Sequence, residues 1–102
     1  MIEHFRDYSL RLTQALTLQS ISAIPELVTA FRSAWESRNT IFLCGNGGSA
    51  RNTIHLANDF LYGTGVKCGV GLRVEALSAN SAVLICLAND IGYGSIFRNN
   101  YV

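Results

Sequence analysis

Two groups of residues in this chain combine types and spacings that suit chemistry. The first is Cys44-Gly45-Asn46-Gly47-Gly48-Ser49-Ala50, set directly behind the apolar run Ile41-Phe42-Leu43 and opening the segment Arg51 to Leu61. A short strand, a glycine turn and a helix start in that order bring several backbone N–H groups to the positive end of a helix, where an anionic phosphate can be held. Gly47 and Gly48 lack the Cβ atoms that would block close backbone approach, and Asn46 and Ser49 carry side chains able to donate hydrogen bonds to an anion. The same residues also suit a tight turn with Ser49 as a helix cap. The second group is His55 and Asp59, four residues apart on the expected helix, so both side chains face the same way about one turn apart. That spacing suits two metal ligands and equally a surface pair bonded to each other or to neighbours.

The elements that must position these residues follow from the apolar pattern. Ile2, Phe5, Leu12, Ala15 and Leu16 predict a helix over 2–18 with one apolar face. Ile24, Leu27, Val28, Phe31 and Trp35 predict a second, with Pro25 in its first turn and Asn39 at its exit, the two helices running antiparallel and joined near Ser20 to Ala23. Thr40 to Cys44 reads as a buried parallel strand, after which the glycine turn launches a third helix. Four glycines in Tyr62 to Gly71 predict a loop, and Leu72 to Leu77 a second strand. Ser78-Ala79-Asn80-Ser81 offers capping side chains ahead of Ala82 to Leu87, an apolar helix expected to be buried on most sides and ended by Asn89-Asp90. Ser95 to Val102 is expected to begin one more helix. Helices alternating with strands predict the α/β class with a parallel sheet.

Composition narrows the function classes. Only 15% of residues are charged, against about 25% in ordinary globular domains, while 49% are hydrophobic. So much apolar sequence is hard for a small domain to hide, which predicts a homo-oligomer. A formal net charge of +1 with scattered Arg and Lys gives no footprint for nucleic acid or an anionic membrane surface. The apolar runs are far below the roughly 20 residues of a bilayer span, and the N-terminus lacks a leader pattern, so a cytoplasmic protein is expected. Cys44, Cys68 and Cys86 make an odd set without CxxC spacing and read as buried free thiols. His4, Ser9, Thr13 and Ser22 enter no catalytic arrangement. Neither a GxSxG elbow nor a Walker loop is present, so hydrolase chemistry and a nucleotide cofactor are not expected.

The chain resembles the sugar isomerase (SIS) domain family, and within it the phosphoheptose isomerase branch. The resemblance rests on the strand with Gly45-Asn46-Gly47-Gly48-Ser49-Ala50, then His55-Leu56-Ala57-Asn58-Asp59-Phe60, Ala76-Leu77-Ser78-Ala79-Asn80 and Leu87-Ala88-Asn89-Asp90-Ile91-Gly92-Tyr93, in that order and spacing. The two N-terminal helices also suit that branch. It implies a flavodoxin-like three-layer α/β/α sandwich with a five-stranded parallel sheet, usually a tetramer whose sites lie between subunits and bind sugar phosphates. Within that pattern residues 1–102 form one SIS domain that stops short, helical over 1–39 and holding the first half of the sandwich over 40–102. A later serine- and threonine-rich phosphate turn and a C-terminal helix with a glutamine and a histidine for a zinc site are not among these residues. By resemblance Asn46, Gly47, Gly48 and Ser49 bind substrate. His55 takes the place of the zinc histidine, and Asp59 that of a glutamate serving as zinc ligand and proton-transfer base. Asp90 takes a position near the substrate, although its place after Asn89 also suits helix termination.

Aspartate is one methylene shorter than glutamate, which moves a proton acceptor by about 1 Å and costs a large factor in rate. Two ligands also fall short of the three or four that zinc takes. The expectation is a sugar-phosphate isomerase of the phosphoheptose type, converting sedoheptulose 7-phosphate to a heptose 7-phosphate through an enediol, with zinc as its metal and this chain inactive alone. The alternative is a non-catalytic SIS module that binds a sugar phosphate or a protein partner.

Overall fold

The computed structural model describes residues 1–17 and 19–100 and divides into two compact units, Met1–Ser33 and Ala34–Val102. The first contains α1 (Ile2–Leu16), a 3-10 helix (Gln19–Ala23) and most of α2 (Ile24–Glu36). Both helices stand where their periodicity predicts them; the expected helix end at Leu18 lies outside the described residues. Most of their apolar positions remain open, with Phe5 and Leu16 on α1 and Leu27 and Val28 on α2 exposed, while Phe31 and Trp35 are half-buried.

The second unit begins with the end of α2, which closes as a Schellman motif. Asn39 N–H donates to Ala34 O (2.9 Å), Arg38 N–H donates to Trp35 O (3.1 Å), and Arg38 takes the left-handed conformation at φ 58°. The chain then enters β1 (Thr40–Leu43), crosses through α3 (Gly48–Asn58), a π-helical turn (Asp59–Gly63) and α4 (Thr64–Cys68), and returns as β2 (Arg73–Ala76). The strands pair in parallel, Thr40 opposite Arg73 and Leu43 opposite Ala76, and α3 packs against both. Parallel neighbours need such a crossover, because no hairpin can join them. Leu72, Ala76, Leu77 and Ile96 form the buried apolar core, with Thr53 of α3 buried and its hydroxyl donating to Ala50 O (2.8 Å). After β2 come a 3-10 turn (Leu77–Ala79), α5 (Ser81–Asp90) and a 3-10 turn (Tyr93–Ser95). This is the α/β class with parallel strands, in partial form.

Four expectations are corrected. Residues 62–71 are not a plain loop but end the π-helical turn and form α4, which stops where Gly69 turns left-handed at φ 78°. A glycine in a helix costs about 1 kcal/mol, which tertiary placement overrides here. The helix expected from Ser95 onward is a 3-10 turn followed by turns to residue 100, and Tyr101 and Val102 lie outside the described residues. Within these turns Asn99 N–H and Nδ2 both donate to Ser95 O (3.3 and 3.1 Å), and Asn100 Nδ2 reaches back to Leu77 O (2.6 Å). α5 has no buried residue and Ile85 is 70% exposed, because a two-stranded sheet offers a helix little surface to cover. For the same reason the three cysteines are free but exposed rather than buried. No helix among the described residues is long and apolar enough to cross a membrane.

Candidate functional site

Because Leu43 and Ala76 are register partners, the loops that follow β1 and β2 leave the same edge of the sheet. In α/β folds this carboxyl edge is where ligands bind. The first loop runs from Cys44 to Gly47, which is the N-cap of α3 and holds φ 56°, a conformation that excludes most side chains. Ser49 N–H donates to Asn46 O (3.0 Å) and closes the turn. A Cβ on Gly45 would lie 2.6 Å from the carbonyl carbon and oxygen of Ser49, so the chain can only fold this tightly with glycine there. No side chain caps α3, so the Ser49 hydroxyl is not used as an N-cap.

Two distant segments brace this turn. From the loop after β2, the Ser78 hydroxyl donates to Gly45 O (2.9 Å). From the turn after α5, the Tyr93 hydroxyl donates to Asn46 Oδ1 (2.6 Å). Three stretches of sequence thus converge on the start of an 11-residue helix, whose first N–H groups carry the positive end of its dipole. Asn46, Gly47, Gly48 and Ser49 all remain exposed there, open to a ligand.

His55 and Asp59 share one face of the helix as their spacing predicts, with Nε2 and Oδ2 3.3 Å apart and both side chains largely exposed. Asp59 is where the helical ladder widens into the π-helical turn, a distortion that recurs at functional positions. At 1.5 Å per residue, His55 lies about 10 Å and Asp59 about 16 Å along the axis from Gly48. The described residues contain no cluster of three or more His, Cys, Asp or Glu side chains. Among the described residues, the His55–Asp59 pair offers zinc two donors, where it takes three or four.

Asp90 closes α5, where Asn89 Nδ2 donates to Oδ1 (2.9 Å) and the Cys86 thiol to Oδ2 (3.3 Å). The Asn89 amide first, then the Cys86 thiol, hold its carboxyl below the usual carboxylate range, and the Asp90 carboxylate in turn raises the Cys86 thiol. The hydrogen bond from this segment to the glycine turn is made three residues on, by Tyr93. Sequence reasoning about single residues missed Tyr93, Ser78 and Gly45. All three lie inside the fragments that carry the family resemblance, but no periodicity reports a contact across 47 positions.

A parallel α/β frame with its glycine turn at the carboxyl edge agrees with the match of residues 4–102 to the SIS domain, and the chain belongs to that family. The relatives it is similar to include phosphoheptose isomerase of Chlorobium limicola, 36% identical over 93 residues, covering 89% of this chain and 43% of that protein. Phosphoheptose isomerase of Synechocystis sp. is 34% identical over 86 residues, covering 84% and 44%. That of Clostridium acetobutylicum is 34% identical over 80 residues, covering 78% and 40%. The chain spans less than half the length of these curated relatives.

Proposed function

We propose that this chain carries the sugar-phosphate-binding turn and the base of an isomerase of the phosphoheptose type, acting on sedoheptulose 7-phosphate. The observation that carries this reading is the start of α3, a glycine turn braced by Ser78 and Tyr93 with first-turn amides and the Ser49 hydroxyl open to an anion. Interconverting the ketose and the aldose moves a proton between C1 and C2 through an enediol, and so needs a base, a group that polarises the carbonyl and an anchor for the phosphate. Asn46, Gly47, Gly48 and Ser49 serve as the anchor and Asp59 as the base, with His55 beside it as the carbonyl partner.

Among the described residues His55 and Asp59 are the pair that zinc, the electrophile of the family branch, would meet, and none of these steps depends on it. Asp90 belongs to the substrate side of the site in this reading, through the segment whose Tyr93 braces Asn46. The contact between His55 and Asp59, exposed and made within one helix, favours a second reading for the chain taken alone, in which it binds a sugar phosphate or a protein partner without turnover.

Calorimetric titration of the 102-residue chain with sedoheptulose 7-phosphate tests the anchor. Ser49→Ala should weaken binding by about 0.5–1.5 kcal/mol, or more if the hydroxyl meets a charged oxygen. Equal affinity in the variant would remove Ser49 from the site.

A further inference from the structure

The hydrogen bond between Tyr93 and Asn46 joins residues 47 positions apart and is among the shortest in the described structure. Asn46 is held at both ends of the residue. Its backbone carbonyl accepts from Ser49 N–H (3.0 Å), and its side-chain oxygen accepts from the Tyr93 hydroxyl (2.6 Å). A planar amide has one acceptor end and one donor end on opposite sides of Cγ. Once Oδ1 is committed to Tyr93, the two Nδ2 hydrogens must point away from the ring. An unbraced asparagine at a turn can present either end to a ligand, and its oxygen end repels an anion.

We propose that Tyr93 is a positioning residue of the anion site, which fixes the Asn46 amide with its N–H donors turned to the ligand oxygens. The inference rests on the reading of the glycine turn as a sugar-phosphate site and adds the residue that sets its polarity. Tyr93 is not catalytic: it acts through Asn46, and the nearby backbone is independently secured by Ser78 on Gly45. Tyr93→Phe keeps the ring and removes only the hydroxyl, leaving Asn46 free to rotate.

The test is a double-mutant cycle on the full chain, with inorganic phosphate and sedoheptulose 7-phosphate as probes and nuclear magnetic resonance as the readout. In the free wild-type protein the Asn46 side-chain N–H₂ pair should give resolved signals, and in Tyr93→Phe these should collapse toward the values of a solvated amide. Tyr93→Phe should weaken both probes about three- to tenfold, Asn46→Ala by a similar factor, and the double variant no further than Asn46→Ala alone. A merely structural Tyr93 would weaken binding additionally in the Asn46→Ala background and would leave the Asn46 amide signals unchanged; either result overturns the proposal. Wild-type affinity in Tyr93→Phe, with the turn still responding to phosphate, would overturn the role of Tyr93 alone. No response of the wild-type turn to either probe would overturn the site itself.

Discussion

At the scale of single residues, the glycine turn is held by backbone geometry more than by side-chain chemistry. Gly45→Ala would push a methyl group against the Ser49 carbonyl, and the turn would have to open. Urea unfolding should show a loss of about 1–3 kcal/mol, the range for overpacking, and an unchanged midpoint would mean that the turn yields freely. Cys86 and Asp90 give a second test, in which the signs run in opposite directions. The lowered Asp90 carboxyl favours the fold above the usual carboxylate range, and that contribution fades as pH falls through its depressed folded value. The raised Cys86 thiol favours the fold below the usual thiol range, and its contribution fades as pH rises through its elevated folded value. Asp90→Asn should therefore speed alkylation of Cys86 at about pH 8, since the thiolate is the nucleophile. An identical rate–pH profile would show that the 3.3 Å contact is not kept in solution. The turn and the His55–Asp59 pair were legible because glycine spacing and i,i+4 spacing are local signals. Tyr93 was not, since its partner is fixed by how α5 and its following turn return to the strand edge.

At the scale of elements, the ends of helices carry the clearest sequence signals. Asn80 is the cap its position suggests, its Oδ1 accepting from Val83 N–H (3.2 Å), and Asn80→Ala should cost about 0.5–2 kcal/mol in thermal or urea unfolding. Arg38 departs from the usual pattern, since the left-handed residue of a Schellman motif is most often glycine. A left-handed conformation costs a non-glycine residue about 1–2 kcal/mol, partly offset by the extra freedom glycine brings to the unfolded chain. Arg38→Gly should accordingly raise stability by about 0.5–1 kcal/mol, and a fall in melting temperature would contradict that balance. The carbonyl that accepts from Arg73 Nη1 (3.1 Å) survives the change. Element types were legible where local preference and tertiary packing agree, as in α1, α2, α3 and both strands. They were misread where packing overrides preference: Gly65 sits inside α4, and the segment after Ser95 is tied back to the strand edge by Asn100 Nδ2 on Leu77 O and stays in turns.

At the scale of the whole molecule, most apolar positions of α1 and α2, among them Phe5, Leu16, Leu27 and Val28, lie open, and the buried apolar core of the described residues is four side chains around β2. We propose that a second copy of the chain covers this surface, so that sedimentation at low micromolar concentration shows dimers or larger species; a stable monomer would contradict it. The 102-residue chain should also show no turnover of sedoheptulose 7-phosphate above an Asp59→Asn control, with or without added zinc, because two donors and a shortened base leave the set of catalytic groups short. Turnover well above that control would make Asp59 a sufficient base within this chain. Neither property decides whether the start of α3 is a sugar-phosphate site. The direct measurement is a titration of the isotopically labelled chain with sedoheptulose 7-phosphate, following every backbone amide. The amides of Gly47, Gly48 and Ser49 should shift first and furthest, saturating together; shifts that begin elsewhere, or a turn that stays still while the sugar phosphate binds, would contradict the assignment.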